Sequence, residues 1–294
     1  MLGKLYSAFN TKQTGSSLVE ILISVSVSST VLLATSSLYT ATVKANQDQS
    51  IRTEALVHAQ AALQMIGNEL KPIGNGVPFD QANFQIGQVT LTDPSVTYPI
   101  DVANSDGTQI AFRLNETGEI ALLMQDFNPA TTTTVYLTDV SAYQANDPIY
   151  ISNGVVAGDD GLYAKIQSVN TSTKSIVLIS SSLVYSPSAT FLKGSVLEEV
   201  PIITFKNLTG GQGITRDSGF GPVLIASNAS LTFQYLDSVG NAIAPPLTAV
   251  SIVGSLRAIK LTITKTSPIK LTTGQTYSTV VSQVFALRNL NILY

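Results

Sequence analysis

The residue types able to carry out chemistry are scarce in this chain. It has a single histidine, His58, and no cysteine, which removes thiolate nucleophiles, disulfides and cysteine-based metal sites. Any Ser-His-Asp arrangement would have to use His58. That residue falls within a helical pattern and has no second imidazole or thiol to share a metal ion, so it reads as a packed or solvated helix residue. Two carboxylate pairs remain, Glu198-Glu199 and Asp159-Asp160. Neighbouring residues of a strand point to opposite faces, so Glu198 and Glu199 cannot serve one substrate as acid and base if they lie in a strand. Asp159-Asp160 sits between Gly158 and Gly161 without the alternating Asp-x-Asp-x-Asp series of a calcium loop, and reads as a solvated turn. The glycine-rich stretch from Thr209 to Gly221 has the composition of a phosphate cradle. It lacks the Gly-Lys-Ser/Thr ending and no apolar helix follows it, which leaves a surface loop. These residues predict no enzyme, no cofactor and no metal.

One carboxylate calls for a different explanation. Glu20 stands at the head of Ile21–Val43, 23 residues without a charge. As a helix that run is about 34 Å long, enough to cross a bilayer core of about 30 Å. A charge at membrane depth costs at least about 2.5 kcal/mol at the centre, so it marks either function or a place near the headgroups. Residues 1–15 before it carry Lys4 and Lys12 and no acid, which keeps that end cytoplasmic. A cleaved secretory signal is a poor fit. Its apolar region spans about 7–15 residues, and the small residues from Ala34 to Ser37 fall inside the run rather than after it.

The stretch Gly15-Ser16-Ser17-Leu18-Val19-Glu20-Ile21-Leu22-Ile23 resembles the class III signal of type IV prepilins and type II secretion pseudopilins. The resemblance implies cleavage by a prepilin peptidase between Gly15 and Ser16, with methylation of the new N-terminus, and places Glu20 fifth in the mature chain. Ser16 replaces the family's usual phenylalanine, and the apolar helix is rich in serine. If the chain is processed in this way, the free amine of a neighbouring Ser16 in a staggered helical bundle is a cation for Glu20, which would then set subunit register.

Beyond Lys44 the helical pattern continues. Ile51, Ala55, Ala59, Ala62, Leu63, Ile66 and Leu70 recur at three- and four-residue spacing. Lys71-Pro72 and Gly74-Asn75-Gly76 form the stop signal. After Pro78 the pattern becomes that of strands. The segments 109–114 and 119–124 flank Asn115-Glu116-Thr117-Gly118 as a hairpin. Strands follow at 133–138, 148–152, 162–169 and 174–179, with 125–195 read as an insertion or subdomain. The sheet resumes over 196–205, where Pro201 implies an edge or a bulge. Strands at 229–236, 256–264 and 277–287 close the chain. Their layout, with Phe233-Gln234-Tyr235, the Asp237–Gly240 turn and the closing Ala286-Leu287-Arg288-Asn289, is similar to larger minor pilins of the PilW type and to the J-type minor pseudopilin.

The expected fold is therefore α+β and pilin-like: one long N-terminal helix, membrane-spanning in its first half, packed on an antiparallel sheet with a β-rich insertion. The expected organisation is a leader at 1–15, a transmembrane or filament-core helix at 16–43, an amphipathic continuation at 44–72 and a globular domain at 73–294. The resemblance implies a minor type IV pilin, with a secretion pseudopilin as the alternative. A signal-anchored extracytoplasmic binding protein is the rival from another class. Expected partners are other pilins, the prepilin peptidase and the inner membrane, with the C-terminal domain extracytoplasmic or on a pilus. Charged residues are 12% of the chain and the net charge is −3, which offers no electrostatic footprint for nucleic acid.

Overall fold

A computed structural model describes residues 18–75, 99–152, 161–183, 190–210, 212–247 and 255–287. The expected leader, the Gly15-Ser16 junction and Asp159-Asp160 lie outside these residues.

Helix α1 runs unbroken over Leu18–Leu70, 53 residues, or about 80 Å. No proline interrupts it and its only glycine is Gly67, near the end. Its buried residues are Ala55, Ala59, Ala62, Leu63, Ile66, Gly67 and Leu70, the stripe legible in the sequence. The helix stops at the turns of Lys71–Asn75, where Gly74 takes the left-handed conformation at φ 84°. The amide of Gly74 then donates to the Arg113 carbonyl (3.1 Å), tying the end of the helix to the domain.

Among the described residues, fourteen strands make three antiparallel sheets. The first has the order β12 (Ala242–Ile243), β11 (Ala229–Leu236), β13 (Ala258–Lys270) and β14 (Thr276–Ala286). The second has the order β1 (Gln109–Arg113), β8 (Ile202–Asn207), β9 (Gly213–Asp217) and β10 (Val223–Ser227). Together with α1 these two sheets enclose one core, which includes Ile66, Leu70, Phe112, Phe205, Tyr235, Ile259, Leu261 and Phe285. Alternation is clearest in β13, where Ile259, Leu261 and Ile263 are buried and the residues between them half-buried.

The third sheet has six strands in the order β2 (Ile120–Leu122), β7 (Val196–Glu199), β4 (Pro148–Ser152), β5 (Leu162–Asn170), β6 (Ser175–Leu178) and β3 (Thr134–Tyr136). It has its own core around Phe127, Leu137, Ile149, Ile166, Phe191 and Leu197. This sheet leaves the second one at Arg113 and returns at Ile202, two residues that face each other across the β1–β8 ladder. An excursion whose ends are adjacent strands leaves the parent sheet intact.

Two expectations change here. The hairpin predicted around Asn115–Gly118 does not form, because β1 pairs with β8 and β2 pairs with β7. The local turn chemistry is nevertheless present. Asn115 Oδ1 accepts from the Gly118 amide (2.7 Å), while its Nδ2 donates to the Glu119 carbonyl (3.1 Å) and to Glu198 Oε2 (2.9 Å). The turn shifts the chain sideways from one sheet to the next instead of reversing it. Turn residues report the bend but not the distant strand that wins the pairing. Likewise the single strand expected over 196–205 is two. Val200-Pro201 separates β7 from β8, and proline, with no N–H to give a ladder, marks the step between sheets.

Candidate functional site

The feature that separates this fold from an ordinary α+β domain is the bare first half of α1. Its apolar side chains project into open space, with Leu33 72% and Tyr39 71% exposed. The helix is long and apolar enough to cross a membrane. Glu20 lies in the first described turn and is exposed.

Six of the ten serines and threonines of this stretch close their hydroxyls onto the helix backbone. Ser24, Ser29, Thr30, Thr35, Thr40 and Thr42 each donate to the carbonyl four residues earlier, at 2.6–2.9 Å. A hydroxyl closed onto its own backbone brings little polarity to an apolar surface, so these six suit a lipid or helix-bundle environment.

The helix is exposed up to Thr42 and buries its first residue, Ala55, only beyond the apolar run. Val43, the last residue of the apolar run, is half-buried, the next four residues are exposed, and from Asp48 on the hairpin β13–β14 runs beside the helix. Three contacts fix its direction. Asp48 accepts from the Thr272 amide (2.7 Å) and hydroxyl (3.0 Å). The Arg52 guanidinium lies 5.1 Å from the centroid of the Tyr277 ring. Gly67 meets Phe285 so closely that an added Cβ would stand 2.1 Å from ring carbons. Helix residues 48, 52 and 67 thus meet hairpin residues 272, 277 and 285 in order, and the closed end of the hairpin points toward the bare half of α1.

At the other end, Arg216 of β9 joins three parts of the molecule. Its Nε donates to both Glu69 carboxylate oxygens (3.0 and 2.8 Å), and its terminal nitrogen bonds Glu116 in the turn leading to the third sheet. Burial raises the Glu69 carboxyl above its ordinary value, and the Arg216 hydrogen bond and charge pull in the opposite direction. Lys265, which continues the buried face of β13, donates to the Ser227 carbonyl. Burial lowers its ammonium, opposed by the charge of Glu54.

The other candidates do not come together. His58 is exposed on α1, in an open groove with Asn46, Gln49, Thr53 and Glu54 of the same helix. Glu198 and Glu199 both lie in β7. Glu198 bonds Asn115, whereas Glu199 is raised by burial, by Asp147 and by Glu116. The glycine-rich stretch is not a loop. It contains β9 and runs up to β10, because Gly213 packs against Leu224 and Ile214 enters the core. Among the described residues, no three His, Asp or Glu side chains stand close enough to hold a metal ion.

Sequence reasoning missed Asp48, Gly67 and Arg216 as positioning residues, and placed Asn115 in a turn without its contact to Glu198. Gly67 alone carried a signal, being the single glycine in a 53-residue helix. No protein-family model matches the chain, and neither does any curated protein sequence.

Proposed function

We propose that the protein is a filament subunit of the pilin kind, a minor pilin held in the membrane and assembled through the bare half of α1. What supports the reading most is that the uncharged run Ile21–Val43 lies wholly within the unburied part of the helix, whose first buried residue is Ala55. A helix that packs only its second half on its own domain has its first half free for lipid or for neighbouring helices. In that bundle Glu20 meets the cationic amine of an adjacent subunit processed at Ser16. An unpaired carboxylate there is costly, so the pair selects one stagger between subunits. The β-domain then sits outside the membrane, at the filament surface or tip, and performs no catalysis.

The reading makes a specific demand on Glu20. Glu20→Gln is expected to insert into the membrane normally and to be lost from sheared filaments; equal incorporation of variant and wild type would reject the register role. Sequencing the mature N-terminus tests the processing step separately. Ser16 is the expected first residue, and an intact Met1 would overturn the proposal.

A further inference from the structure

We infer that, before assembly, the closed end of the β13–β14 hairpin docks into the anionic headgroup layer of the membrane, with Ile269 as its apolar anchor and Lys44 and Lys270 as its phosphate contacts. The inference rests on the reading of Ile21–Val43 as membrane-spanning.

Asp48 holds Thr272 at the tip of the hairpin. Lys44 is four residues earlier on the same helix, about 6 Å along the axis. A bilayer that covers the apolar run to Val43 therefore has its headgroups at the level of the tip. Tyr39 and Lys44, at the end of the run, are the residue types that settle at that boundary.

Local structure then presents an apolar side chain. Along β13 the residues at 259, 261, 263, 265 and 267 are buried, and the alternation breaks at Pro268. Between the pairs Thr266–Ser278 and Lys270–Thr276, four steps on β13 oppose two on β14. The hydroxyl of Ser267 occupies the gap, donating to the Ile269 carbonyl (2.9 Å) and accepting from its amide (3.2 Å). The bulge leaves Ile269 57% exposed beside exposed Lys270. A bulge that costs ladder bonds and turns an isoleucine outward fits an apolar environment better than water.

The protein as a whole is acidic, yet the hairpin from Ala258 to Ala286 carries Lys260, Lys265 and Lys270 and no acid. On the facing helix the acids nearest the tip are Asp48, engaged by Thr272, and Glu54, near Lys265; Lys44 and Arg52 are the cations. The tip is thus a cationic end on an anionic molecule, which matches a phosphate-bearing surface.

The cysteine-free chain permits a direct test on the full-length protein in vesicles of phosphatidylethanolamine and phosphatidylglycerol. Single variants Leu33→Cys, Ile269→Cys and Phe220→Cys are labelled with an environment-sensitive dye, and quenched by lipids tagged at the headgroup or deep in the acyl chain. The expected pattern is deep quenching at Leu33, headgroup quenching at Ile269 and none at Phe220, which is 88% exposed on another turn. Adding Lys44→Gln or Lys270→Gln to the labelled Ile269→Cys protein lowers its docked-to-free ratio about fivefold each, and phosphatidylcholine vesicles lower it similarly. Deep quenching at Leu33 with an aqueous Ile269 overturns the inference and leaves the membrane reading standing. An aqueous Leu33 overturns both. Headgroup quenching at Ile269 unaffected by either lysine would reject the phosphate contacts.

Discussion

Gly67 shows how much of this structure depends on single atoms. The Phe285 ring occupies the space in which any other residue at 67 would place its Cβ. In an exposed helix, glycine to alanine would gain up to about 1 kcal/mol. Here the ring has to move within a filled core, and such overpacking costs about 1–3 kcal/mol. Gly67→Ala is therefore expected to lower the thermal midpoint, and pairing it with Phe285→Leu to restore part of the loss. Glu199 supplies a prediction of different sign. Burial is the main cause of its raised carboxyl, followed by Asp147 and Glu116, so the folded protein holds that proton to higher pH than the unfolded chain does. The contribution to stability is complete below the ordinary value of 4.5 and is lost as pH rises through the folded value. Glu199→Gln is accordingly expected to melt higher than wild type at pH 7 and to lose that advantage at pH 4. Thermal unfolding at both pH values checks it.

At the scale of elements, the hairpin β13–β14 determines where the globular domain ends along α1. Its tip is pinned by Asp48, a carboxylate accepting two hydrogen bonds, which is among the stronger polar contacts. Asp48→Ala removes the acceptor of the Thr272 amide. Hydrogen exchange over residues 272–275 is expected to accelerate about tenfold or more, with little change near Phe285. Unchanged exchange at the tip would show that β-pairing alone holds it. The strands themselves were legible because their signals are local, alternation in Ala229–Leu236 and a short apolar run beside a turn cluster in Pro148–Ser152, and the limits of both match the reading from sequence. Strand β9 was not, since Gly213-Ile214-Thr215-Arg216-Asp217 lies among turn residues. It becomes a strand only because β8 and β10 flank it.

For the whole molecule, the question is how two cores share one chain. The third sheet departs from Arg113 and returns at Ile202, which are paired, so its removal leaves the β1–β8 ladder closed. Replacing residues 116–199 with a short Asn-Gly loop is expected to retain the core formed by α1 and the first two sheets. It would sacrifice the Glu116–Arg216 and Asn115–Glu198 contacts across the junction. A cooperative melt of the shortened protein, with α1 still protected around Ile66, checks this; a molten product would mean that the two cores fold as one.

The long helix, its apolar first half, the stripe on its second half and the glutamate at its head are properties of the sequence alone, because each is written in residue type and a spacing of three or four. Composition and the scarcity of histidine and cysteine limited the chemistry in the same direct way. Only the tertiary structure decided the partners. Asn115 bends toward a neighbouring sheet, Pro201 marks the step back, Gly67 makes room for Phe285, and Thr272 reaches Asp48 across 224 positions of chain. Turn and strand propensities act over a few residues, whereas these pairings are selected by which distant surfaces bury each other best.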